Sequence, residues 1–345
     1  MPPHLPVAPG GRRGLTAFDC LHGWAAGARL ARDVRSRLER RAFRGLSVPT
    51  SLLYLLTVLI WGTSWFAITL QTGVVPVELS IAYRFLLAAA MLILFCLATG
   101  RRLRYGLRDH LFMAAQGVCL FSLNYILFYR ASFDMPSGLM AICFSTITLM
   151  NILNGALFFR TPVDARVFIG ALLGLAGLGL VFWPEVAGFG LHSRAALGLA
   201  LSLVATVFAS FGNMVSVRHK LARIPVIESN AIGMGYGALC SLAIALVQGL
   251  PLIYDGRWTY NAALLYLALF ASVIGFGCFL TLVHRIGADR AAYSSVLFPL
   301  VALALSTWLE GYRWTPLAAV GVALVLLGNV LVLMRRPSPR KPLPA

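Results

Sequence analysis

Most of the side chains that could contact a ligand lie within long apolar runs, and nearly all of them are uncharged. They combine aromatic rings, hydroxyls and amides with one proline: Trp61, Thr63, Ser64, Trp65, Asn124, Tyr125, Ser145, Asn151, Asn213, Ser272, Tyr293, Ser294, Ser295 and Pro299. Rings can hold the apolar part of an organic molecule, while hydroxyls and amides hold its polar part. Each polar group alone is more often an interhelical hydrogen bond than a ligand contact, so both interpretations stay open.

One stretch and one single residue among these candidates are favoured over the others by their chemistry. The stretch from Trp61 to Trp65 places two tryptophans, a glycine and two hydroxyls in the middle of an apolar run, where lipid alone would favour aliphatic residues. It is either a seam between packed helices or the lining of a cavity. Pro299 cannot donate a backbone hydrogen bond, so it produces either a kink or a free carbonyl beside a cavity.

None of the twelve acidic residues and none of the six histidines lies in the central part of an apolar run. Acid–base catalysis needs a titratable group close to its substrate, so we expect no catalytic residue, and a carboxylate proton relay is disfavoured. Arg84 is the one clear charge within a run. Its side chain is expected to snorkel to the outer interface or to bond Glu78 or a neighbouring loop, and contact with a substrate carboxylate is the less favoured alternative.

The six cysteines have no spacing typical of a metal site. Cys20 lies near the N-terminus, and the others lie singly in apolar runs, where cysteine usually behaves as a small apolar residue. We therefore expect no disulfide, no metal and no cofactor.

The composition is that of an integral membrane protein. Hydrophobic residues make up 59% of the 345 residues and charged residues 12%, whereas soluble domains contain about 25% charged residues. An all-α fold with ten transmembrane spans is predicted, at 52–70, 78–98, 111–130, 137–158, 165–183, 195–217, 228–248, 261–283, 290–309 and 316–334. The net charge of +17 is spread in short clusters between the runs, which argues against nucleic-acid binding.

Lysine and arginine are distributed unevenly between the two sides of these spans. With the N-terminus inside, 24 of the 29 lie on the cytoplasmic side, four lie outside and Arg84 lies within a span. Because cytoplasmic loops carry an excess of these residues, both termini are predicted to be cytoplasmic, with the protein in the plasma (inner) membrane.

The chain repeats itself with a shift of 150 positions. Trp61-Gly62 aligns with Phe211-Gly212, and Glu78 aligns with Glu228. After one residue of drift, Gly170 and Gly177 align with Gly321 and Gly328, and all four are small residues suited to close helix packing. Since each half has five spans, the second half must cross the membrane in the opposite sense, which predicts an inverted 5+5 repeat.

These features predict four parts along the chain. Residues 1–50 form a basic cytoplasmic leader, either disordered or a helix on the membrane surface. The two five-span repeats are 51–184 and 195–334, and residues 335–345 form a cytoplasmic tail. A homodimer is left open.

Two sets of motifs stand in the two halves. The first comprises Trp61–Phe66, the stretch from Pro76 through Arg84-Phe85 and the glycine-rich run 170–177, and the second comprises Pro299, Glu310 and the run 321–328. They resemble the two EamA domains of the drug/metabolite transporter superfamily, over about 52–334. The resemblance implies a ten-helix, inverted-repeat transporter with a central cavity, often an exporter of metabolites or amino acids. One departure is that the first domain usually has an acidic residue where this chain has Phe158-Phe159-Arg160-Thr161.

The predicted function is transport, with export favoured, of a small organic metabolite or amino-acid-like solute by rocking of the two halves about a midplane cavity. The expected partners are this solute and membrane lipid. A non-transporting receptor or assembly protein is the alternative, although the predicted spans leave little room for a domain that reads a signal. A membrane enzyme ranks third.

Overall fold

Within the residues that the structure describes there are ten apolar helices, called spans one to ten in chain order. The computed structural model describes residues 48–160, 165–189, 194–286, 291 and 293–334. Within these ranges, nine helices are long and apolar enough to cross a membrane: Thr50–Thr69, Val77–Ala98, Leu107–Ala131, Ser137–Phe159, Ala165–Trp183, Arg194–Leu221, Val226–Val247, Trp258–Leu282 and Pro316–Leu333. The helices of spans five and eight continue to Phe189 and Ile286, and span nine is the shorter helix Ser294–Leu309.

The predicted all-α membrane fold is confirmed, and each predicted span overlaps one helix. Helices satisfy their own backbone hydrogen bonds, which is the condition for crossing hydrocarbon. Predicted span nine began at 290, whereas the described helix begins at Ser294. The predictions for the leader and the tail fall outside the described residues, except at 48–50 of the leader, and the opposite sense of the two halves stays a prediction.

The starts of spans two and seven share a local sequence signal. Pro76 and Pro225 each stand directly before the helix, and Glu78 and Glu228 each lie in its first turn. Proline fixes a backbone angle suited to a helix start, and a carboxylate is favourable beside the free N–H groups of the first turn. The two acidic residues that the repeat aligned therefore occupy equivalent structural positions.

Three spans depart from a continuous α-helix, and the sequence did not predict this. Span four is interrupted at Thr146, between Ser137–Ser145 and Ile147–Phe159. Spans three and eight contain wider π-helical turns, at Cys119–Leu123 and Tyr266–Ile274. Such turns shift the register of the helix and are frequent at functional sites.

The helices contact one another in a reciprocal pattern. Span one packs on spans eight and nine, and span six packs on spans three and four. Span two pairs with span seven, and span five pairs with span ten. This pattern agrees with two halves related by the predicted repeat, since exchanging the halves converts the contacts of span one into those of span six and leaves the other two pairs unchanged.

Spans five and ten approach closely through the four aligned glycines. A Cβ atom on Gly177 would lie 2.5 Å from the carbonyl oxygen of Gly321, and one on Gly321 would lie 2.5 Å from the carbonyl oxygen of Gly177. Gly170 and Gly328 meet in the same way, about two helix turns away from this contact. The structural role predicted for these glycines is confirmed.

Candidate functional site

Arg84 lies in the second turn of span two and is almost completely buried. The residue is 2% exposed, although it lies only about 10 Å along the helix from Val77. The prediction that its side chain snorkels to the interface is therefore wrong, because it lies on a face covered by other spans. Pairing with Glu78 is also wrong, since Glu78 Oε1 lies 2.6 Å from Nη2 of Arg130.

Three neighbouring side chains surround the Arg84 guanidinium. Its Cζ lies 4.4 Å from the ring centroid of Tyr125 and 5.0 Å from that of Phe85, both within cation–π range. Nη2 donates to the Tyr125 hydroxyl at 3.4 Å, and both Nε and Nη2 donate to Ser272 Oγ at 3.4 Å. These hydrogen bonds are long compared with the usual range of about 2.7–3.2 Å. The cluster joins spans two and three to span eight.

The π-helical turns position two members of this cluster. Ser272 lies within the π turn of span eight, where its hydroxyl donates to the carbonyl of Leu267, five residues earlier, at 2.9 Å. Tyr125 follows directly after the π turn of span three. The two departures from regular helix therefore bring a hydroxyl and an aromatic ring to the same guanidinium.

The positive charge of Arg84 has no carboxylate partner in the described part of the chain. Nη1 is buried and has no partner with regular hydrogen-bond geometry among the described residues, while the neutral Tyr129 hydroxyl lies within hydrogen-bonding reach of the guanidinium. Four acidic residues in the described ranges form ion pairs with other arginines: Glu78 with Arg130, Asp109 with Arg218, Glu228 with Arg101, and Asp255 with Arg257. A guanidinium stays charged in proteins, so the cluster is a buried cation with spare donors.

A row of aromatic rings connects this cluster to Trp61. Ring centroids lie 4.9 Å apart for Tyr125 and Phe85, 5.3 Å for Phe85 and Phe121, 6.5 Å for Phe121 and Phe276, and 5.4 Å for Phe276 and Trp61. Trp61 also donates from Nε1 to the carbonyl of Ala271 at 3.2 Å, beside Ser272. The structure thus brings together four predicted residues: Trp61, Arg84, Tyr125 and Ser272. The three phenylalanines were not predicted, and the signal for Phe85 was its place beside Arg84 in the family motif.

Trp65 belongs to a different aromatic cluster from Trp61. It is 8% exposed, and its ring lies 4.9 Å from Phe128 and 5.4 Å from Phe144. Phe144 continues the cluster to Phe298, the neighbour of Pro299, at 6.1 Å. The two tryptophans therefore contact different spans, span eight for Trp61 and spans three and four for Trp65.

Several predicted hydroxyls and amides bond to their own helix. Ser64 Oγ donates to the carbonyl of Trp61 at 2.8 Å, Ser145 Oγ to that of Ile142 at 2.7 Å, and Asn124 Nδ2 to that of Leu120 at 3.2 Å. Thr63 bonds within span one and also reaches the hydroxyl of Tyr266 in span eight. Asn124 Oδ1 is buried without a partner among the described residues. These positions do not converge on Arg84.

The remaining predicted residues lie on spans four, six and nine. Asn213 Nδ2 donates to Asn151 Oδ1 at 3.3 Å, linking the two halves. Tyr293 is half-buried and precedes span nine, which begins at the buried Ser294, includes the half-buried Ser295 and continues as helix through the buried Pro299. A separate cavity of about 40 Å³ between spans four, five, six and ten is lined by Thr146 and Asn329 among mostly apolar residues. Its lining includes the packing residue Gly170 but none of the residues first named as possible ligand contacts, and it is far smaller than a metabolite site of about 300 Å³ or more.

Glu310, the acidic residue of the second motif set, caps a helix of the other half. Its Oε2 accepts hydrogen bonds from the backbone N–H of Ser137 at 2.8 Å, from Ser137 Oγ at 2.9 Å and from Ser306 Oγ. Ser137 is the first residue of span four, whose preceding residue, Pro136, supplies no side-chain cap. Glu310 therefore satisfies free donors at a helix start and joins span nine to span four.

Comparison with known sequences matches this chain to a transporter family and to bacterial relatives. The sequence profile described as the EamA-like transporter family matches residues 49–183 and 196–334. The chain is 23% identical to Protein PagO of Salmonella typhimurium over 85% of this chain and 95% of that protein. It is 27% identical to the uncharacterized inner membrane transporter YedA of Escherichia coli K12, over 79% and 89%. It is 26% identical to a protein of the same strain named probable amino-acid metabolite efflux pump, over 82% and 94%.

The fold is also similar to that of a solved protein. One crystal structure superposes with a TM-score of 0.60 and 21% sequence identity, covering 82% of this chain and 95% of that one. The arrangement of helices is therefore shared over nearly the whole of that protein.

Proposed function

The chain belongs to the EamA-like transporter family, and we propose that it exports a small organic metabolite or amino-acid-like solute by alternating access. Similar proteins are named as an inner membrane transporter and an amino-acid metabolite efflux pump, which supports transport across the inner membrane rather than catalysis. The observation that carries the choice of site is the buried cluster of Arg84, Tyr125 and Ser272, to which both halves contribute.

The cluster is suited to a rocking mechanism because its cross-half contacts are weak. Ser272, from the second half, meets Arg84, from the first, only through 3.4 Å contacts to a neutral hydroxyl. Such contacts separate at little cost when packed halves move relative to one another. A solute bound between them would then be exposed to one side of the membrane at a time. The other predicted contacts remain proposals.

Transport is tested in proteoliposomes that contain the purified full-length protein. A panel of labelled amino acids and related organic metabolites is loaded inside, and release is compared with that from protein-free liposomes. Faster release of at least one compound, saturable with its concentration, is expected. Equal release for the whole panel would overturn the proposal and favour a non-transporting membrane protein. Export in cells would appear as accumulation of the same compound when the gene is deleted.

The proposed orientation places both termini in the cytoplasm. It is supported by the 24-to-4 distribution of lysine and arginine. Reporter fusions after Arg102 and Pro339 should report the cytoplasm, and one after Gly256 should report the outside. An outside signal at Pro339 would contradict the arrangement.

A further inference from the structure

Arg84 is a fully buried cation that the fold supplies with only neutral partners. We propose that it binds the carboxylate of the transported solute, and that this solute is an aromatic or otherwise apolar carboxylate whose binding needs no amino group. The inference rests on the proposed transport function and names the substrate class of the same site.

The hydrogen-bonding state of the guanidinium supports an anionic ligand. Nη1 has no partner with regular hydrogen-bond geometry among the described residues, Nη2 has only the long contacts to Tyr125 and Ser272, and the Tyr129 hydroxyl within reach of the guanidinium is neutral. Burial of a charge is costly unless the charge is paired and hydrogen-bonded. A carboxylate accepts two parallel N–H bonds from one guanidinium, so Nη1 and Nη2 offer the fork that such a ligand requires. A bound carboxylate would therefore provide the ion pair and the hydrogen bonds that the protein does not provide for the buried guanidinium.

Glu78 and Glu228, the two buried acidic side chains at the starts of spans two and seven, are not placed to bind an ammonium group beside Arg84. Glu78 lies six residues earlier on span two and is paired with Arg130 at 2.6 Å. Glu228 is paired with Arg101, which follows the opposite end of span two, about 25 Å along the helix from Arg84. Within the described residues, the surroundings of Arg84 are therefore cationic and aromatic. A free amino group on the solute would gain no ion pair there.

The aromatic row defines the other half of the ligand. Its two ends, Trp61 and Tyr125, are half-buried, while Phe85 and Phe121 between them are each 1% exposed. Rings packed edge to face present apolar surface to a neighbouring ring. A solute with its carboxylate at Arg84 would place its hydrophobic body against the half-buried Tyr125 ring, 4.4 Å from the guanidinium, where the row begins.

Three phenyl compounds test the proposal on the wild-type full-length protein in detergent and in proteoliposomes. They are 3-phenylpropionate, which has only the carboxylate, L-phenylalanine, which has both groups, and L-phenylalaninamide, which has only the amine. The first two should bind with half-saturation concentrations within a few-fold of each other, and the amide should bind at least about ten-fold more weakly, because it lacks the charge-assisted hydrogen bonds. Equal binding of the amide, or binding of none of the three, would overturn the assignment.

Variants then locate the effect. Arg84→Gln should remove the preference for the acid over the amide, and Arg84→Lys should keep part of it, since lysine retains the charge but not the planar fork. Arg218→Gln is the matched control, because it removes an arginine that pairs with Asp109 and leaves the pairing of Glu78 intact, so it should leave the preference unchanged. Loss of preference in Arg218→Gln, or its retention in Arg84→Gln, would overturn the proposal. If Arg84→Gln does not fold, the wild-type comparison decides alone.

The result separates this inference from the transport function on which it rests. Carboxylate-selective binding without transport of any compound would reject the transporter and keep Arg84 as an anion site. Transport without carboxylate preference would keep the transporter and reject the role of Arg84.

Discussion

The contact between spans five and ten predicts a specific response to single methyl groups. A methyl on Gly177 would lie 2.5 Å from the carbonyl oxygen of Gly321 and 2.8 Å from Cγ2 of Val325. Carbon–oxygen contacts settle near 3.3–3.6 Å, so the helices would have to separate by roughly 1 Å. Overpacking of this kind costs about 1–3 kcal/mol. At the exposed Gly179 of the same helix, a Cβ atom meets nothing within 4 Å.

The pair Gly177→Ala and Gly179→Ala therefore isolates the clash. Both changes gain about 0.8–1 kcal/mol of helix propensity, so the difference between them reports the overpacking term. We expect Gly177→Ala to melt several degrees below Gly179→Ala, at roughly 2–4 °C per kcal/mol, when unfolding of the detergent-purified protein is followed by size-exclusion fluorescence. Equal melting temperatures would refute the close contact of spans five and ten.

The reciprocal glycine provides a second measurement. A methyl on Gly321 meets the carbonyl oxygen of Gly177 at the same 2.5 Å distance. Once one methyl has separated the helices, the second has less to displace. The double variant Gly177→Ala/Gly321→Ala should therefore lose less stability than the two single variants combined. Strict additivity would show that the two changes act at independent places.

Trp61→Ala is expected to raise the half-saturation concentration for transport about ten-fold with little change in melting temperature. Trp65 is only 8% exposed, so Trp65→Ala leaves a cavity and should mainly lower the melting temperature. Counterflow and thermal-shift assays on both variants measure the two effects, and the opposite assignment of the effects would contradict the prediction. Glu310→Ala should cost about 0.5–2 kcal/mol by removing the cap of span four, Glu310→Gln should restore part of it, and unchanged melting in the alanine variant would contradict the capping role. Hydrogen bonds from Arg257, together with its charge, lower the pKa of Asp255. The stabilisation is then present above the unfolded pKa of about 3.9 and is lost as the pH falls through the lower folded pKa. Asp255→Asn should melt below the wild type at pH 7 and converge with it in acid, so a gap that persists at all pH values would disprove the pairing.

Features set by local sequence were predictable in this protein. Each long apolar run became a helix, because hydrocarbon leaves the backbone no other hydrogen-bond partner. The four glycines that the repeat aligned were assigned to packing because only hydrogen fits where two backbones touch, and in the structure Gly177 meets Gly321 and Gly170 meets Gly328. These conclusions depend on residue type and spacing along one helix or between repeats.

The environment of Arg84 was not predictable in the same way. Its depth along span two follows from the sequence, and at that depth an arginine on a lipid-facing side would snorkel. Which face of span two is covered depends on spans three and eight, whose relevant residues lie 41 and 188 positions further along the chain. Phe121 and Phe276 were overlooked for a related reason, since a phenylalanine that lines a site and one that faces lipid look alike in an apolar run.

The two π-helical turns explain why the repeat alone could not locate the site. Shifted by 150 positions, Cys119–Leu123 falls within Tyr266–Ile274, so both halves carry the same departure at equivalent places. A π turn adds a residue to one turn of helix and rotates the side chains beyond it by about 100°. In span three this turn presents Ser122 to a serine of span seven at 2.8 Å, whereas in span eight the equivalent Ser272 meets Arg84. The π turn therefore makes a contact between neutral side chains in one half and a contact with a charged side chain in the other. The charge of Arg84 on span two, and not the repeated backbone geometry, distinguishes the proposed anion site from the equivalent place in the other half.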